Sequence, residues 1–144
     1  ELDAYLDDLI EHTAIYFVVD DLTYLYRGGR VSGVSKVVGN LLGIKPILYF
    51  NEEGKILNIN KVKGFKKALA TLLDYMKNKG SELDKYKVYI LQADCEQEAN
   101  AFAESIKAKF GVLDVEVQPV GPVIGAHCGP GTIGLISMRK KNKK

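Results

Sequence analysis

Three long stretches of the chain place apolar residues on one side of a helix. In each stretch, apolar positions recur three and four residues apart, which is the period of an amphipathic helix. The predicted helices span residues 2–12, 65–79 and 95–110. Gly80 and Gly111 are predicted to end the second and third helices, and Asp94 is predicted to cap the start of the third.

Two shorter helices are predicted in the first third of the chain. Residues 22–27 fit one or two helical turns, and the pair Gly28-Gly29 that follows is a typical helix stop. A second helix is predicted over residues 32–42, with Ser32 as its N-cap and Gly43 at its end.

Six runs rich in β-branched and aromatic residues predict strands. They span residues 15–19, 44–50, 55–62, 87–93, 113–118 and 132–138. The second and third runs flank a short glycine-containing loop, residues 51–54, and predict a hairpin. In the fifth run, Leu113, Val115 and Val117 alternate with polar residues, which predicts one buried and one solvated face.

The interleaving of these strands and helices predicts the fold class. It indicates an α/β (α+β) protein in which helices pack on a mixed, largely antiparallel sheet. The predicted organisation is a single compact domain over residues 1–138, followed by a basic tail over residues 139–144.

Length and cysteine content narrow the class of protein. The 144 residues fit one domain, and no apolar run approaches the roughly 20 residues that cross a bilayer. No signal peptide is evident, and two cysteines without a metal-type spacing fit a reducing cytoplasm. We therefore expect a cytoplasmic protein without metal or cofactor. Because residue 1 is not methionine, we expect a fragment or an excised domain.

The positive charge is concentrated at one end of the chain. The formal net charge is +2, but the last six residues carry five positive charges. Without them the chain has 15 basic residues (20 minus 5) against 18 acidic ones, a net charge of −3. This balance argues against nucleic-acid binding, and we expect the tail to be a solvated terminus.

The segment 121–134, with the sequence GPVIGAHCGPGTIG, is the main candidate for chemistry. It holds five of the chain's fourteen glycines, and glycine lets a backbone approach a ligand closely. Exposed backbone N–H groups in such turns bind anions, so Gly125, Gly129 and Gly131 form a candidate backbone cradle. The segment is neither a Walker A loop nor a dinucleotide fingerprint.

Two side chains of this segment suit a carboxylate or a phosphate. His127 can donate a hydrogen bond or carry charge near neutral pH, and Thr132 adds a hydroxyl. The alternative is that the glycines build a tight crossover between two strands and His127 is an ordinary turn histidine. Spacing alone slightly favours the crossover.

Basic side chains near two turns are further candidates for anion binding. Arg27 and Arg30 flank the Gly28-Gly29 pair, and arginine presents a planar fork suited to carboxylate or phosphate. A basic patch formed by Lys61, Lys63, Lys66 and Lys67 lies between a predicted strand and helix. Either group could instead be solvated surface; for the lysines the functional alternative is docking of an acidic or phosphorylated partner.

The adjacent pair His127-Cys128 allows an enzyme hypothesis. A hydrolase or transferase could use Cys128 as the nucleophile and His127 as the base. Neighbouring side chains usually point in different directions, and a free cysteine most often packs as a small hydrophobe. The same holds for Cys95 at a helix start, although that position can lower a thiol pKa.

Three segments in order resemble one known family. They are residues 25–32 (LYRGGRVS), residues 42–48 (LGIKPIL) and segment 121–134. Their order and spacing resemble the C-terminal half of the DegV family, and the similarity extends over essentially the whole chain. On this resemblance, residues 1–138 are a C-terminal domain whose N-terminal partner domain is absent from this chain.

The resemblance implies a function and roles for several residues. DegV proteins are bacterial two-domain proteins that bind a fatty acid and present it to a separate kinase subunit, which makes acyl-phosphate for phospholipid synthesis. His127 would hold the carboxylate or acyl-phosphate, with Arg30 at the head group. Lys63 stands where the family often has arginine, and with Lys66 it would serve partner docking.

The expected function is therefore that of a lipid carrier rather than an enzyme. The expected partners are a long-chain fatty acid, the kinase catalytic subunit and the chain's own N-terminal domain. Candidate channel residues are Ile15, Phe17, Leu41, Ile47, Ile124 and Ile133. The rival hypotheses are the Cys128 enzyme and a regulatory module that uses the basic patch. An apolar face left uncovered would favour self-association.

Overall fold

The structure is a computed structural model that describes residues 1–30 and 43–141. The helix predicted over residues 32–42 lies outside these ranges, as do the last three residues of the chain. The described elements are α1 (Leu2–His12), β1 (Thr13–Val18), α2 (Thr23–Arg27), β2 (Ile44–Phe50), β3 (Ile56–Lys63), α3 (Phe65–Lys79), β4 (Val88–Gln92), α4 (Glu96–Phe110), β5 (Val115–Pro119), α5 (Pro122–Cys128) and β6 (Ile133–Met138).

The six strands form one mixed sheet with the order β3-β2-β1-β6-β4-β5. Every neighbouring pair is antiparallel except β4 and β5, which are parallel. The two central strands, β1 and β6, pair over six residues, from Thr13 opposite Met138 to Val18 opposite Ile133. The predicted mixed, largely antiparallel sheet and the hairpin of β2 and β3 are confirmed.

The two faces of the sheet are covered differently. Because side chains alternate along a strand, Val18, Ile90 and Leu135 point to one face, where α3 and α4 pack on them. Phe17 and Leu48 point to the other face, where they contact residues of the short helices α2 and α5. The main core thus lies under the long helices, and the second face holds a smaller cluster.

Helix α4 begins without the predicted aspartate cap. Asp94 has a φ of +54°, and the N-cap residue is Cys95. The amide oxygen of buried Gln92 accepts a hydrogen bond from the Cys95 N–H at 2.8 Å. A glutamine at the end of β4 therefore satisfies a helix-start donor, a role for which aspartate was predicted.

The predicted alternation of the fifth strand is wrong at its start. Leu113 is 90% exposed and lies outside β5, whose first residue, Val115, pairs with Val88. Strand β5 is at the edge of the sheet, and Val115 and Val117 are only half-buried. An edge strand has a neighbour on one side alone, so its apolar residues bury less surface than the pattern indicated.

The prediction of a solvated tail is wrong for Arg139, although Lys140 and Lys141 are exposed. The Arg139 N–H donates to the His12 carbonyl at 2.6 Å, and the Arg139 side chain is 11% exposed. The Lys141 ammonium pairs with Asp8 at 2.6 Å. Residues after β6 therefore attach to α1 and the sheet, because α1 is acidic and lies where the tail leaves the sheet.

Tyr16 provides a test of the packing under α3. Its ring lies 5.0 Å from the Tyr49 ring and 5.3 Å from the Tyr75 ring, and burial, with a smaller contribution from Tyr49, raises its pKa to about 12. The unfolded chain ionises near pH 10, so the stabilisation is complete below pH 10 and is lost as the pH rises toward 12. We expect the free energy of unfolding to fall by about 2 kcal/mol over this range.

The measurement is urea unfolding at several alkaline pH values, compared between the wild type and Tyr16→Phe. The variant keeps the ring but cannot ionise, so it should lose less stability between pH 10 and pH 12. Equal losses in the two proteins would contradict the assignment of the raised pKa to Tyr16.

Candidate functional site

An open groove of about 830 Å³ runs along the second face of the sheet. Its volume falls within the roughly 300–1,000 Å³ typical of small-molecule sites. The apolar floor is formed by Ile15, Phe17, Leu91, Gly134 and Ile136. Phe50 and Ile56 lie at one end, and Arg30, His127 and Thr132 also line the groove. The groove therefore joins an apolar trough to a small polar group.

A helix C-terminus fixes the backbone of Arg30. The Arg30 N–H donates to the Leu25 carbonyl and the Gly29 N–H to the Tyr26 carbonyl, each at 3.0 Å. These two bonds form a Schellman motif, in which the residue after the C-cap takes the left-handed conformation, and Gly29 has a φ of +69°. The predicted helix stop at Gly28-Gly29 is confirmed, and it places Arg30 at the groove.

Helix α5 brings His127 to the same place. Segment 121–134 is not the turn predicted, because residues 122–128 form a helix that starts with Pro122 and has Gly129 as its C-cap. This helix was not predicted from the sequence, although proline at the first helical position and glycine just after the end are its usual signals. His127 lies in the last turn and is half-buried.

The structure brings Arg30 and His127 into contact. The Arg30 Nη2 lies 3.5 Å from the His127 Nε2, and the Arg30 Nη1 donates to the Gly28 carbonyl at 2.8 Å. A guanidinium has only donors, so this contact requires Nε2 to accept, and the neutral ring then carries its proton on Nδ1. In this arrangement the guanidinium supplies the donors for an anion at the end of an apolar trough, and the imidazole positions it.

Thr132 is placed at the groove with its hydroxyl already in use. The residue is 3% exposed, and its Oγ1 lies 3.1 Å from the Cys128 carbonyl and 2.9 Å from the Gly129 carbonyl. A hydroxyl has one hydrogen to donate. Thr132 therefore holds the end of α5 and offers a ligand only its acceptor side.

The predicted backbone cradle is wrong, because its donors are occupied. The N–H of Gly125 donates to the Gly121 carbonyl, that of Gly129 to the Gly125 carbonyl and that of Gly131 to the Ala93 carbonyl, at 2.7–2.9 Å. The bonds of Gly125 and Gly129 belong to α5 and its C-cap. The bond of Gly131 attaches the loop after α5 to Ala93, the residue that follows β4. These glycines shape the segment and do not present free N–H groups.

The basic patch lies outside the groove lining. Lys63 ends β3 and Lys66 lies in the first turn of α3, and both side chains are exposed. Lys63 pairs with Ile44 at one end of the strands. At the same end of the sheet, β1 ends and β6 begins. The patch therefore shares this end of the sheet with the start of β6, which follows α5.

Cys128 is packed as an apolar residue. It is 8% exposed and belongs to the cluster of Phe17, Leu25 and Leu48, and burial raises the pKa of its thiol. A raised pKa keeps the sulfur protonated at neutral pH, whereas a nucleophile needs the thiolate. Burial also raises the pKa of the Cys95 thiol, whose Sγ lies 3.4 Å from the Thr132 carbonyl. Neither observation favours the enzyme hypothesis.

The predicted channel residues divide between the two faces. Ile15, Phe17 and Ile124 line the groove, whereas Ile47 and Ile133 are fully buried on the α3 and α4 face. Leu41 lies outside the described residues. Three further groove residues were not predicted from the sequence: Leu91, Gly134 and Ile136. Period-2 alternation along β6 could have separated Ile136 from Ile133 once the face of one residue was known.

Across residues 1–30 and 43–141, no group of three or more histidine, cysteine, aspartate or glutamate side chains is arranged to hold a metal ion. None of the helices described is both long and apolar enough to cross a bilayer.

A family model and the relatives that match this chain indicate the same family. The model of the family described as "Uncharacterised protein, DegV family" matches residues 1–140. A DegV domain-containing protein of Halalkalibacterium halodurans is 40% identical over 131 residues, which is 91% of this chain and 46% of that protein. Another, from Clostridium perfringens, is 36% identical over 94% of this chain and 46% of its own length.

Solved structures agree with these relatives. A fatty acid binding DegV family protein of Streptococcus agalactiae has a TM-score of 0.83 and 36% identity, over 96% of this chain and 49% of that one. A DegV family protein of Eubacterium eligens loaded with heptadecanoic acid has a TM-score of 0.85 and 27% identity, over 96% and 50%. The chain thus spans about half the length of the relatives that it matches.

Proposed function

Because the chain belongs to the DegV family, we propose that it forms one wall of a fatty acid site. The acyl chain lies in the groove over Phe17, Gly134 and Ile136, and the carboxylate meets Arg30 and His127. The single observation that carries this proposal is the contact between Arg30 and His127 at the end of an open apolar groove. Thr132 supports the site by holding the end of α5.

The polarity of the groove suits a single-chain amphiphile. Burial of apolar surface supplies roughly 0.8 kcal/mol for each methylene, so a long chain gains most of its binding energy from the trough. A charged head group needs hydrogen-bond donors, and the Arg30 guanidinium, held against the His127 ring, supplies them. The related proteins whose names specify a fatty acid support the same ligand class.

The finer part of the proposal concerns a kinase partner. We propose that the bound acid is presented to the catalytic subunit of a fatty acid kinase, with Lys63 and Lys66 as docking residues. Both side chains are exposed, so they are free to contact an acidic surface. A structure related in fold, a Streptococcus pneumoniae fatty acid kinase B3 protein loaded with linoleic acid, is consistent with this role.

The proposed site is completed by a second domain. The groove is open on the side away from the sheet, and the matched relatives are about twice as long as this chain. We propose that the other half of the protein covers the groove and supplies further contacts to the head group. The chain presents half of the site, over residues 1–138.

Uncovered apolar surface predicts self-association of this domain. Besides the groove, α1 exposes Leu2, Tyr5, Leu6 and Ile10, each between 45% and 70%. Such surface lowers its free energy by burial against a second copy. Light scattering coupled to size exclusion should give a mass above 15.9 kDa that rises with concentration. A strict monomer at every concentration would contradict this prediction, and Leu6→Lys with Ile10→Lys should reduce the mass.

The central test is binding of a fatty acid with a labelled head group. Heptadecanoic acid carrying ¹³C at the carboxyl carbon is titrated into the protein, and its carbon signal is followed by NMR. We expect saturable binding that Arg30→Ala weakens about tenfold, because one charge-assisted hydrogen bond is lost. Arg27→Ala is the matched control, since Arg27 is exposed and is not among the groove residues.

Absence of any saturable signal, together with no fatty acid in a lipid extract analysed by mass spectrometry, would refute the proposal for this chain. Equal affinity of wild type and Arg30→Ala would refute the assignment of the head group. The kinase step has its own test: opposite charge at Lys63 and Lys66 should weaken phosphorylation by the kinase subunit without changing the affinity for the acid.

A further inference from the structure

Gly28 lies at the point where α2, α5 and the Arg30 side chain meet. It is the C-cap residue of α2, and its N–H donates to the Tyr24 carbonyl at 3.0 Å. Its φ of −77° and ψ of −1° are right-handed helical values, which any residue adopts. The backbone therefore does not require glycine at this position, in contrast to Gly29, whose φ is +69°.

The contact with His127 does require glycine. A methyl group built on Gly28 would lie 2.5 Å from the His127 Nδ1 and 3.3 Å from its Cε1. Favourable contacts between such atoms need about 3.5 Å or more. The imidazole ring therefore rests directly on the Cα of Gly28, and a side chain there would displace the ring by about 1 Å.

The carbonyl of Gly28 acts on the other member of the pair. It accepts the hydrogen bond from the Arg30 Nη1 at 2.8 Å, which turns the guanidinium back toward its own helix end. The remaining Nη2 then lies 3.5 Å from the His127 Nε2. One residue thus sets the distance of the ring through its Cα and the orientation of the guanidinium through its oxygen.

We propose that Gly28 is the positioning residue of the head-group pair. It carries no chemistry of its own and acts through His127 and Arg30. The missing side chain at position 28 makes room for the imidazole, and the carbonyl fixes the guanidinium against it. The consequence for ligand affinity rests on the proposed fatty acid function, whereas the placement of the ring does not.

NMR of the histidine rings tests the placement without a ligand. The chain has two histidines, His12 and His127, so two Cε1–Hε1 signals are expected and His127→Gln assigns them. His12 is the last residue of α1, and its signal serves as the internal reference for the chemical shift. In the wild type, a nuclear Overhauser effect should join the His127 Hε1 to the Gly28 Hα.

Gly28→Ala should shift the His127 signal and leave the His12 signal unchanged. Gly121→Ala is the matched control, because a methyl group there meets no atom within 4 Å and the residue begins the same helix. An unmoved His127 signal in folded Gly28→Ala would overturn the proposal. If that variant does not fold, the Overhauser effect in the wild type decides, and its absence would overturn the proposal as well.

Affinity for heptadecanoic acid separates this inference from the proposed function. If both hold, Gly28→Ala weakens binding about tenfold, as does removal of one head-group donor. If the His127 signal shifts while Gly28→Ala, Arg30→Ala and His127→Gln all bind as the wild type does, Gly28 positions the pair and the pair does not hold the carboxylate. That result would support the placement and refute the function.

Discussion

Gly134→Leu is expected to weaken fatty acid binding about a hundredfold while the domain remains folded. Gly134 lies on β6 at the floor of the groove, between Phe17 and Leu91 on the neighbouring strands. A leucine there fills the trough and excludes three or four methylenes of the acyl chain. At roughly 0.8 kcal/mol for each methylene, the loss is about 3 kcal/mol, which is about two powers of ten.

The matched control is Gly134→Ala. A methyl group at this position would lie 3.6 Å from the Leu91 Cβ and 3.9 Å from the Phe17 Cβ, which are ordinary packing distances. The alanine variant should therefore bind nearly as the wild type does, and titration with the labelled heptadecanoic acid measures both. If Gly134→Leu retained full affinity with an unchanged melting temperature, the acyl chain would not lie over β6.

The second large effect concerns stability. Gly129→Ala is expected to lower the free energy of unfolding by about 3 kcal/mol. Gly129 has a φ of +81°, which costs a residue with a side chain, and a methyl group there would lie 2.5–2.8 Å from three atoms of the Tyr24 ring. Strain and overlap add because the Tyr24 ring of α2 lies directly against the backbone at the end of α5.

Urea unfolding of five proteins, the wild type, Gly129→Ala, Gly111→Ala, Tyr24→Ala and the double variant at positions 24 and 129, separates the two contributions. Gly111 has a φ of +65° and open space around it, so Gly111→Ala should lose only the conformational part, about 1–2 kcal/mol. In the background of Tyr24→Ala, the cost of Gly129→Ala should fall by the part due to overlap. The remainder should exceed the cost at Gly111, because a φ of 81° with a ψ of 168° is a conformation that almost only glycine adopts. A cost that does not change when the ring is removed would contradict the packing of Tyr24 on Gly129.

The sequence predicted the long elements because their pattern extends over many residues. Helix α3 repeats apolar positions over four turns, and the hairpin of β2 and β3 has a loop of five residues that contains a glycine. Both signals are local. Leu113 was placed on a buried face because alternation reports which residues share a side, and it does not report whether another element covers that side.

The site was predicted only in part for the same reason. Arg30 and His127 were recognised as candidates, but their contact joins residues 97 positions apart and depends on how α2 packs against α5. The cradle of Gly125, Gly129 and Gly131 failed because no pattern of glycines shows which N–H groups are already bonded. The room at Gly28 is visible only from the partner ring that occupies it.

Strand β6 carries two sets of side chains, one in the core and one at the groove. Ile133 and Leu135 face the buried core under the long helices, and Gly134 and Ile136 face the groove. Under the proposed function, substitutions on the second set change which acyl chains fit, while the free energy of folding carried by the first set stays the same. A protein with this arrangement can then change its lipid preference by exchanging alternate residues of one strand, without loss of stability.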